Sequence, residues 1–154
     1  MKAADDILTV GHSNHPIDRF LALLRGAGVE VIADVRRFPA SRRNPQFNSK
    51  ALATSLAEAG IAYEPFGDEL GGRRGDDPFV AYAEHMATDV FAAGIERLES
   101  LARDRRTAPM CAERDWRQCH RRLLADALTA RGWRVVHLLG DGGLEPHPAT
   151  LERG

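Results

Sequence analysis

The chain has 154 residues, 44% of them hydrophobic and 28% charged, and a formal net charge of −1 at pH 7, which together suit a single globular domain. The near-zero charge argues against a general polyanion binder, and two cysteines are too few for a disulfide framework. Because the acidic start MKAADDILTV is unlike a signal peptide and no stretch approaches the ~18 apolar residues of a membrane span, we predict a cytoplasmic protein without membrane association.

Short apolar runs alternate with amphipathic stretches along most of the chain, a pattern that predicts strands alternating with helices. We predict a strand over residues 7–10, a helix opened by Pro16, a strand over 29–35, a helix near 50–59 and a strand over 61–66. One or two helices between residues 79 and 103 follow, then a strand over 108–112, a helix over 116–131 and a strand over 133–139. Residues 140–154 have no periodicity and are predicted to form an irregular C-terminal tail.

This alternation, with near-continuous apolar strands, predicts an α/β fold. We expect one domain over residues 1–139: a mostly parallel five-stranded sheet with helices on both faces, in a Rossmann-like three-layer arrangement. In such sheets, ligands bind at the carboxyl ends of the strands. Polar segments follow the first four predicted strands, so we predict one site built from GHSN, DVRRFPASRRNP, DELGGRR and CAERDWRQCHR.

The first polar segment, GHSN (residues 11–14), lies between the first strand and the first helix. Gly11 allows a sharp turn, and Ser13 and Asn14 either face a ligand or simply cap the helix. A capping turn does not require His12, which makes this residue a candidate for ligand binding.

The loop after the second strand, DVRRFPASRRNPQF, is rich in arginine. Guanidinium groups match the paired oxygens of phosphate and carboxylate, so Arg36, Arg43 and Asn44 are candidate anion-binding residues. The alternative is a solvated basic loop. We expect Phe38 and Phe47 to anchor the loop to the core rather than to stack on a base.

The third polar segment contains ELGGRR (residues 69–74). Gly71 and Gly72 would let backbone N–H groups approach an anion closely, beside two arginines. The segment matches neither a dinucleotide-binding nor a Walker fingerprint, and taken alone the glycines fit a flexible connector better.

The segment MCAERDWRQCHRRLLAD (residues 110–126) concentrates two cysteines, one histidine and four arginines. Asp115 and Gln118 have capping-box spacing, which predicts that a helix starts at Trp116. Cys119 and His120 would then lie in the first two helical turns, on the face turned toward the sheet.

Four interpretations of this segment remain open. As a metal site, Cys111, Cys119 and His120 lack the C-x2-C spacing and an obvious fourth ligand. As a phosphatase or rhodanese-type loop, Cys111 to Arg117 gives C-x5-R, but CAERDWR has no glycine and its carboxylates would repel an anion. As an acid–base site, Glu113 and His120 would move protons while arginines hold the substrate. The fourth interpretation is ordinary burial of the thiol and imidazole in the core. We favour the acid–base site, because three other polar segments share its edge.

Four segments resemble, in order, the recurring motifs of the family known as domain of unknown function 488: TVGHSN, ADVRRFPASRRNPQFN, ELGGRR and MCAERDWRQCHRRLLADAL. The resemblance runs from about residue 7 to residue 139, nearly the whole chain. It implies a compact α/β domain and brings no established activity. The positions that match the family motifs are Gly11, His12, Ser13, Asp34, Arg36, Pro39, Asn44, Pro45, Phe47, Leu70, Gly71, Gly72, Cys111, Glu113, Cys119, His120 and Arg121.

Our leading hypothesis is an enzyme, a hydrolase or group transferase, that acts on a small anionic substrate, phosphorylated or nucleotide-like. The predicted catalytic residues are Glu113, His120, Asp34 and Cys111. The predicted substrate-binding residues are Gly11, His12, Ser13, Arg36, Arg43, Asn44, Gly71, Gly72, Cys119 and Arg121. No metal and no cofactor is predicted. The alternatives are a non-catalytic nucleic-acid or nucleotide-binding module, which the aromatic content of 6% does not favour, and a thiol-dependent redox or phosphatase-like protein.

Overall fold

The computed structural model describes residues 6–72 and 74–148. Arg73 of the ELGGRR motif and residues 149–154 of the predicted tail lie outside the described residues. The strands of the described part are β1 (Asp6–Gly11), β2 (Val31–Asp34), β3 (Ala62–Pro65), β4 (Thr107–Cys111), β5 (Arg134–Leu138) and β6 (Leu144–Pro146). Its helices are α1 (Ile17–Gly26), α2 (Ser49–Glu58), α3 (Gly67–Leu70), α4 (Pro78–His85), α5 (Asp89–Asp104) and α6 (Arg121–Ala130). No helix in this part of the chain combines the length and the apolar character needed to cross a membrane.

The six strands form one mixed sheet in the order β3-β2-β4-β1-β5-β6. The first five strands in this order run parallel to their neighbours, whereas β6 runs antiparallel to β5, with Leu138 opposite Leu144. The expected sheet of five strands was therefore wrong by one antiparallel strand. Three residues are too few to show an alternating pattern, and Gly142, with φ +93°, turns the chain back from β5 to β6.

Apolar side chains cover both faces of the sheet, because successive residues of a strand point to opposite sides. On one face, Leu8 of β1 belongs to a cluster with buried residues of α1 and α2, such as Phe20. On the other face, Ile7 belongs to a second cluster with buried residues of α5 and α6, such as Leu98 and Leu124. The α/β class predicted from the sequence is confirmed.

The connections place the polar segments against one another at the carboxyl ends of the strands. β1 and β4 are neighbours in the sheet, but α1 follows β1 on one face and α6 follows β4 on the other. The loops that leave these two strands therefore lead to opposite faces of the sheet. Open α/β sheets bind ligands in the crevice between two such loops. GHSN and CAERDWRQCHR are those two loops.

The predicted helix over residues 116–131 consists of two separate elements. Trp116–Gln118 is a 3-10 turn, and its N-cap Asp115 accepts a hydrogen bond of 3.0 Å from the backbone two residues later. Cys119 is extended (φ −127°, ψ 157°), and the α-helix starts at Arg121. Asp115 does cap a turn, but the predicted helix start was wrong, so Cys119 and His120 lie in a link between the turn and the helix.

A chain of hydrogen bonds crosses the face of the sheet beneath this turn. Thr9 Oγ1 lies 2.5 Å from His137 Nδ1, His137 Nε2 lies 2.9 Å from His147 Nδ1, and His147 Nε2 lies 2.7 Å from Asp126 Oδ1. Burial lowers the pKa of His137 to about 3, so this ring is neutral. Trp116 stacks on His137 with ring centroids 4.1 Å apart. This stacking holds the 3-10 turn against the sheet, which explains why the helix starts later than predicted.

Replacing His147 with alanine is expected to lower the free energy of unfolding by about 1–3 kcal/mol, because the buried His137 Nε2 loses its partner. The control is Leu144→Ala in β6, a side chain 55% exposed, which should change stability by less than about 0.5 kcal/mol. Urea unfolding at pH 7 measures both variants. Two equally small effects would mean that the segment after β5 is not docked on the sheet.

Candidate functional site

The loop after β4 folds back over the end of β1, and Gly11 makes this close approach possible. The pairing of the two strands continues beyond their ends, because the backbone N–H groups of the two residues after Gly11 donate to the carbonyls of Cys111 and Ala112 at 2.9 and 3.0 Å. A Cβ on Gly11 would lie 1.7 Å from the carbonyl oxygen of Glu113. Only glycine fits at this point of contact.

Ser13, in the turn after β1, has a left-handed backbone with φ +51°, which is uncommon for residues other than glycine. Its hydroxyl donates to Asn14 Oδ1 at 3.4 Å, while the N-cap of α1 is Pro16, with no side-chain cap. Capping by Ser13 or Asn14 was therefore a wrong interpretation. Left-handed residues of this kind cost roughly 1–3 kcal/mol and cluster at ligand sites, which keeps Ser13 a candidate.

Arg121 is a fully buried cation at the centre of the site, with 1% of its surface exposed. Its Nη1 donates to the Thr9 hydroxyl at 2.9 Å, and its Nη2 donates to the carbonyls of Glu113 and Arg114 at 3.0 and 3.3 Å. Among the described residues it forms no ion pair with a carboxylate, and its Nε has no acceptor. A buried guanidinium without a counter-ion favours any anion that comes near it.

The two cysteines form a buried pair beside this cation. Cys119 Sγ donates to Cys111 Sγ at 3.0 Å. Burial by itself raises the pKa of Cys111, but the hydrogen bond from Cys119 and the positive charge of Arg121 lower it to about 7. The hydrogen bond to Cys111, followed by burial, raises the pKa of Cys119. Cys111 is therefore the group that ionises and Cys119 the group that keeps its proton.

His120 connects the thiols to the end of β2. Its Nε2 lies 3.1 Å from the Val35 carbonyl oxygen, which only accepts, so Nε2 carries the proton and donates. The unprotonated Nδ1 then lies 3.4 Å from Cys119 Sγ. Burial lowers the pKa of His120 to about 4, and the ring is neutral at pH 7. Gly72 packs on this ring, since a Cβ there would lie 2.9 Å from Nδ1.

Asp34 holds Arg36 in a buried, bidentate ion pair at the end of β2. Arg36 Nε and Nη2 donate to the two carboxylate oxygens at 2.8 and 2.7 Å, and Tyr63 donates to the same carboxylate at 2.6 Å. Arg36 Nη1 donates to His12 Nε2 at 3.3 Å. Burial lowers the pKa of His12 to about 4, which keeps that nitrogen an acceptor. A guanidinium has five N–H donors, so two donors of Arg36 make no hydrogen bond with another described residue.

The arginine-rich loop after β2 has one anchored and one exposed aromatic ring. Phe47 is fully buried and stacks on His12, with ring centroids 4.2 Å apart. Phe38 is 60% exposed, and the Arg37 guanidinium lies 5.5 Å from its ring. The expectation that both rings anchor the loop was therefore correct for Phe47 and wrong for Phe38.

Two predicted residues lie on the exposed surface instead of in the buried cluster. The side chains of Glu113 and Arg43 are exposed and form no hydrogen bond or ion pair with other described residues. Glu113 contributes to the cluster only through its carbonyl oxygen. Asn44, half-buried, donates its backbone N–H to the Ser41 hydroxyl at 3.0 Å, and Gly71 forms a tight turn in which a Cβ would lie 2.3 Å from the Gly67 carbonyl oxygen.

The arginine of the C-x5-R spacing is occupied away from the thiols. Arg117 forms ion pairs with Asp115 and Glu145 and lies 4.5 Å from the Trp116 ring. The loop after Cys111 also directs carbonyl oxygens, and not N–H groups, to its neighbours, which differs from an oxyanion-binding loop. Over residues 6–72 and 74–148, no group of three or more His, Cys, Asp or Glu residues could hold a metal ion.

The sequence interpretation missed a cleft at the same edge of the sheet. Its volume is about 670 Å³, and its walls include His15, Arg19, Arg114 and Gly140. His15 is 8% exposed, and its Nε2 has no partner. Arg19 donates to the Gly140 carbonyl at 3.0 Å. Arg19 lies in α1, and the other three residues lie in the loops after β1, β4 and β5. These residues are far apart in the sequence, which gives no signal that they share one cleft.

Replacing Gly11 with alanine is expected to lower the free energy of unfolding by about 3 kcal/mol, because the loop after β4 must move away from the new methyl group. The matched control is Gly26→Ala in α1, where an added Cβ meets nothing within 4 Å and should be neutral or slightly stabilising. Urea unfolding of the two variants measures the difference. A Gly11→Ala variant as stable as wild type would contradict the close approach.

The comparisons with known proteins identify a family and no function. The family described as "Domain of unknown function DUF488" matches residues 16–128, which is most of the chain but leaves out GHSN. No curated protein and no solved structure matches the sequence. The match includes the three later motifs, with Asp34, Arg36, Cys111 and His120 among their residues. The chain belongs to the family of the domain of unknown function DUF488.

Proposed function

We propose that the chain is an enzyme, a hydrolase or a group transferase, that acts on a small anionic substrate, phosphorylated or nucleotide-like. The observation that carries this proposal is Arg121, a buried guanidinium with no carboxylate partner among the described residues. Burying a charge without a carboxylate partner costs several kcal/mol, and the Cys111 thiolate offsets this cost only while it is ionised. We infer that an anionic substrate bound near the strand ends supplies further negative charge.

Arg36 supplies a second cation, and some of its N–H donors make no hydrogen bond with another described residue. Its ion pair with Asp34 fixes the guanidinium plane, and two of its five N–H donors have no acceptor within residues 6–72 and 74–148. A guanidinium that is already immobilised loses little further entropy when it binds phosphate or carboxylate oxygens. In this proposal Asp34 and Tyr63 are positioning residues for Arg36.

One exposed carboxylate and two neutral imidazoles are the titratable groups near this edge of the sheet. The pKa values of about 4 make His12 and His120 weak bases near pH 7, so we assign the proton transfer to Glu113. The carboxylate of Glu113 is exposed, and Arg114, the next residue, lines the 670 Å³ cleft. This volume falls within the roughly 300–1,000 Å³ of small-molecule sites. Arg19 and Arg114 line this cleft, whereas Arg36 and Arg121 do not. We therefore assign the anionic group of the substrate to the strand ends beside Arg36 and the rest of the substrate to the cleft.

Replacing Glu113 with glutamine is expected to lower kcat by about 100-fold or more on the best substrate from a panel of nucleotides and phosphoesters, because the proton-transfer group is lost. Glu58→Gln is the matched control: Glu58 is equally exposed and ends α2, at the opposite edge of the sheet. It should leave kcat unchanged. Steady-state kinetics of purified variants measure both, and equal activity of wild type and Glu113→Gln would exclude Glu113 from catalysis.

A second candidate function, non-catalytic binding of nucleic acid, is favoured by one specific observation. Phe38 is 60% exposed on a loop that also presents Arg42 and Arg43 to solvent. An exposed ring on a loop with exposed guanidinium groups suits stacking on a base with phosphate contacts nearby. The small net charge of −1 limits this candidate to a local contact, since it excludes a broad basic surface.

If this second function holds, Phe38→Ala weakens binding of a single-stranded oligonucleotide by about 1–3 kcal/mol, the usual contribution of one stacked base. Val90→Ala, which truncates another exposed apolar side chain (52% exposed), is the control and should bind like wild type. Fluorescence anisotropy at several salt concentrations measures affinity and its salt dependence. Absence of binding at low salt would remove this candidate and leave the enzyme proposal untouched.

A further inference from the structure

We propose that Cys111 and Cys119 form a redox-active dithiol that a small hydroperoxide converts into an intramolecular disulfide. The two sulfur atoms lie 3.0 Å apart. A disulfide bond is about 2.05 Å long, so the sulfurs need to approach by only about 1 Å. This proposal does not depend on the proposed activity toward anions.

The backbone brings together two residues that helical geometry would have separated. Cys111 is the last residue of β4, and Cys119 is extended in the link before α6. In a continuous helix from Trp116, which the sequence predicts, the backbone of Cys119 would be helical and its sulfur would lie elsewhere relative to Cys111. The 3-10 turn anchored on His137 therefore sets the distance between the thiols.

The surroundings distinguish the two sulfurs chemically. The Arg121 guanidinium stabilises a thiolate on Cys111, and Cys119 donates a hydrogen bond to the same sulfur. Because the thiolate is the nucleophilic form of cysteine, Cys111 attacks the oxidant first. Cys119, which keeps its proton, is the second thiol of the reaction.

His120 can position the thiol of Cys119. Its Nε2–H donates to the Val35 carbonyl, which fixes the tautomer and leaves the Nδ1 lone pair 3.4 Å from Cys119 Sγ. Once Cys111 is oxidised, Nδ1 is an acceptor for the Cys119 S–H and holds the sulfur beside Cys111. Because the pKa of His120 is lowered to about 4 while that of Cys119 is raised, His120 is a positioning residue and not the base that removes the proton.

The reaction with hydrogen peroxide balances in two steps. The Cys111 thiolate attacks one peroxide oxygen, forming an S–O bond while the O–O bond breaks and hydroxide leaves, which gives a sulfenic acid. The sulfur of Cys119 then attacks Cys111, forming the S–S bond while the S–O bond breaks. The departing hydroxide takes the proton of Cys119 as it leaves and becomes water. The two thiols lose two electrons, which the peroxide gains, and an external dithiol reverses the change.

Because both thiols are buried, only a small oxidant can reach them. Cys111 is 2% exposed and Cys119 is 6% exposed, so bulky aromatic disulfides and alkylating reagents are excluded from the folded protein. Hydrogen peroxide is small and uncharged, and brief opening of the surrounding side chains suffices to admit it. We therefore expect a slow but selective reaction.

The test is oxidation of the full chain with hydrogen peroxide, followed by quenching, denaturation, thiol labelling and intact-mass measurement. Both thiols should be lost together, with a mass decrease of two hydrogens, no added oxygen and full recovery with dithiothreitol. In Cys119→Ser, dimedone added together with the denaturant should trap a sulfenic acid on Cys111. In Cys111→Ser, Cys119 should remain a thiol under the same conditions.

His120→Asn tests this positioning and should slow disulfide formation by about tenfold or more, so that sulfenic acid on Cys111 accumulates before the disulfide forms. His85→Asn is its control, because His85 also bonds a backbone carbonyl, that of Glu69 at 2.6 Å, and should oxidise at the wild-type rate. Equal rates for wild type and His120→Asn would overturn the role of His120. Wild-type protein that keeps both thiols, that gains oxygen, or that forms only intermolecular disulfides would overturn the dithiol proposal, even if a variant fails to fold.

Discussion

The burial of Arg121 is the constraint on which the rest of the site depends. The guanidinium occupies the space between β1 and the loop after β4, and its donors are matched to the Thr9 hydroxyl and to two loop carbonyls. Gly11 has to lack a side chain for the same reason, because the loop that supplies the Glu113 carbonyl rests on it. One cation thereby determines the path of the loop and the charge that the neighbouring thiol experiences.

Both proposals use this cation, in different ways. For an anionic substrate, Arg121 and the partly unused donors of Arg36 form a positive edge at the ends of β1, β2 and β4. For the thiols, the same charge favours the ionised form of Cys111. The cleft and the dithiol lie on opposite sides of the loop after β4. The cleft lies toward β5, whereas the dithiol and His120 lie toward β2.

Patterns of local origin could be predicted from the sequence, and contacts between distant segments could not. Apolar periodicity predicted the α/β class and the approximate positions of the parallel strands, and the polar strand ends predicted that Arg36, Cys111, His120 and Arg121 share one edge. The late start of α6 could not be predicted, because it depends on Trp116 stacking against His137, across two strands. Thr9 and Tyr63 were missed as well, because a single threonine or tyrosine in an apolar strand gives no signal until its partner is known.

The order of strands has a consequence for how the chain folds. β1 is synthesised before the other described strands, but its two neighbours in the sheet are β4 and β5. The hydrogen bond between Thr9 and His137 joins residues 128 positions apart. Contacts of such long sequence separation form slowly, because a large loop must close before they can contribute. During synthesis on the ribosome, β1 therefore has no sheet partner until β4 and β5 have emerged. An unpaired apolar strand of this kind promotes aggregation.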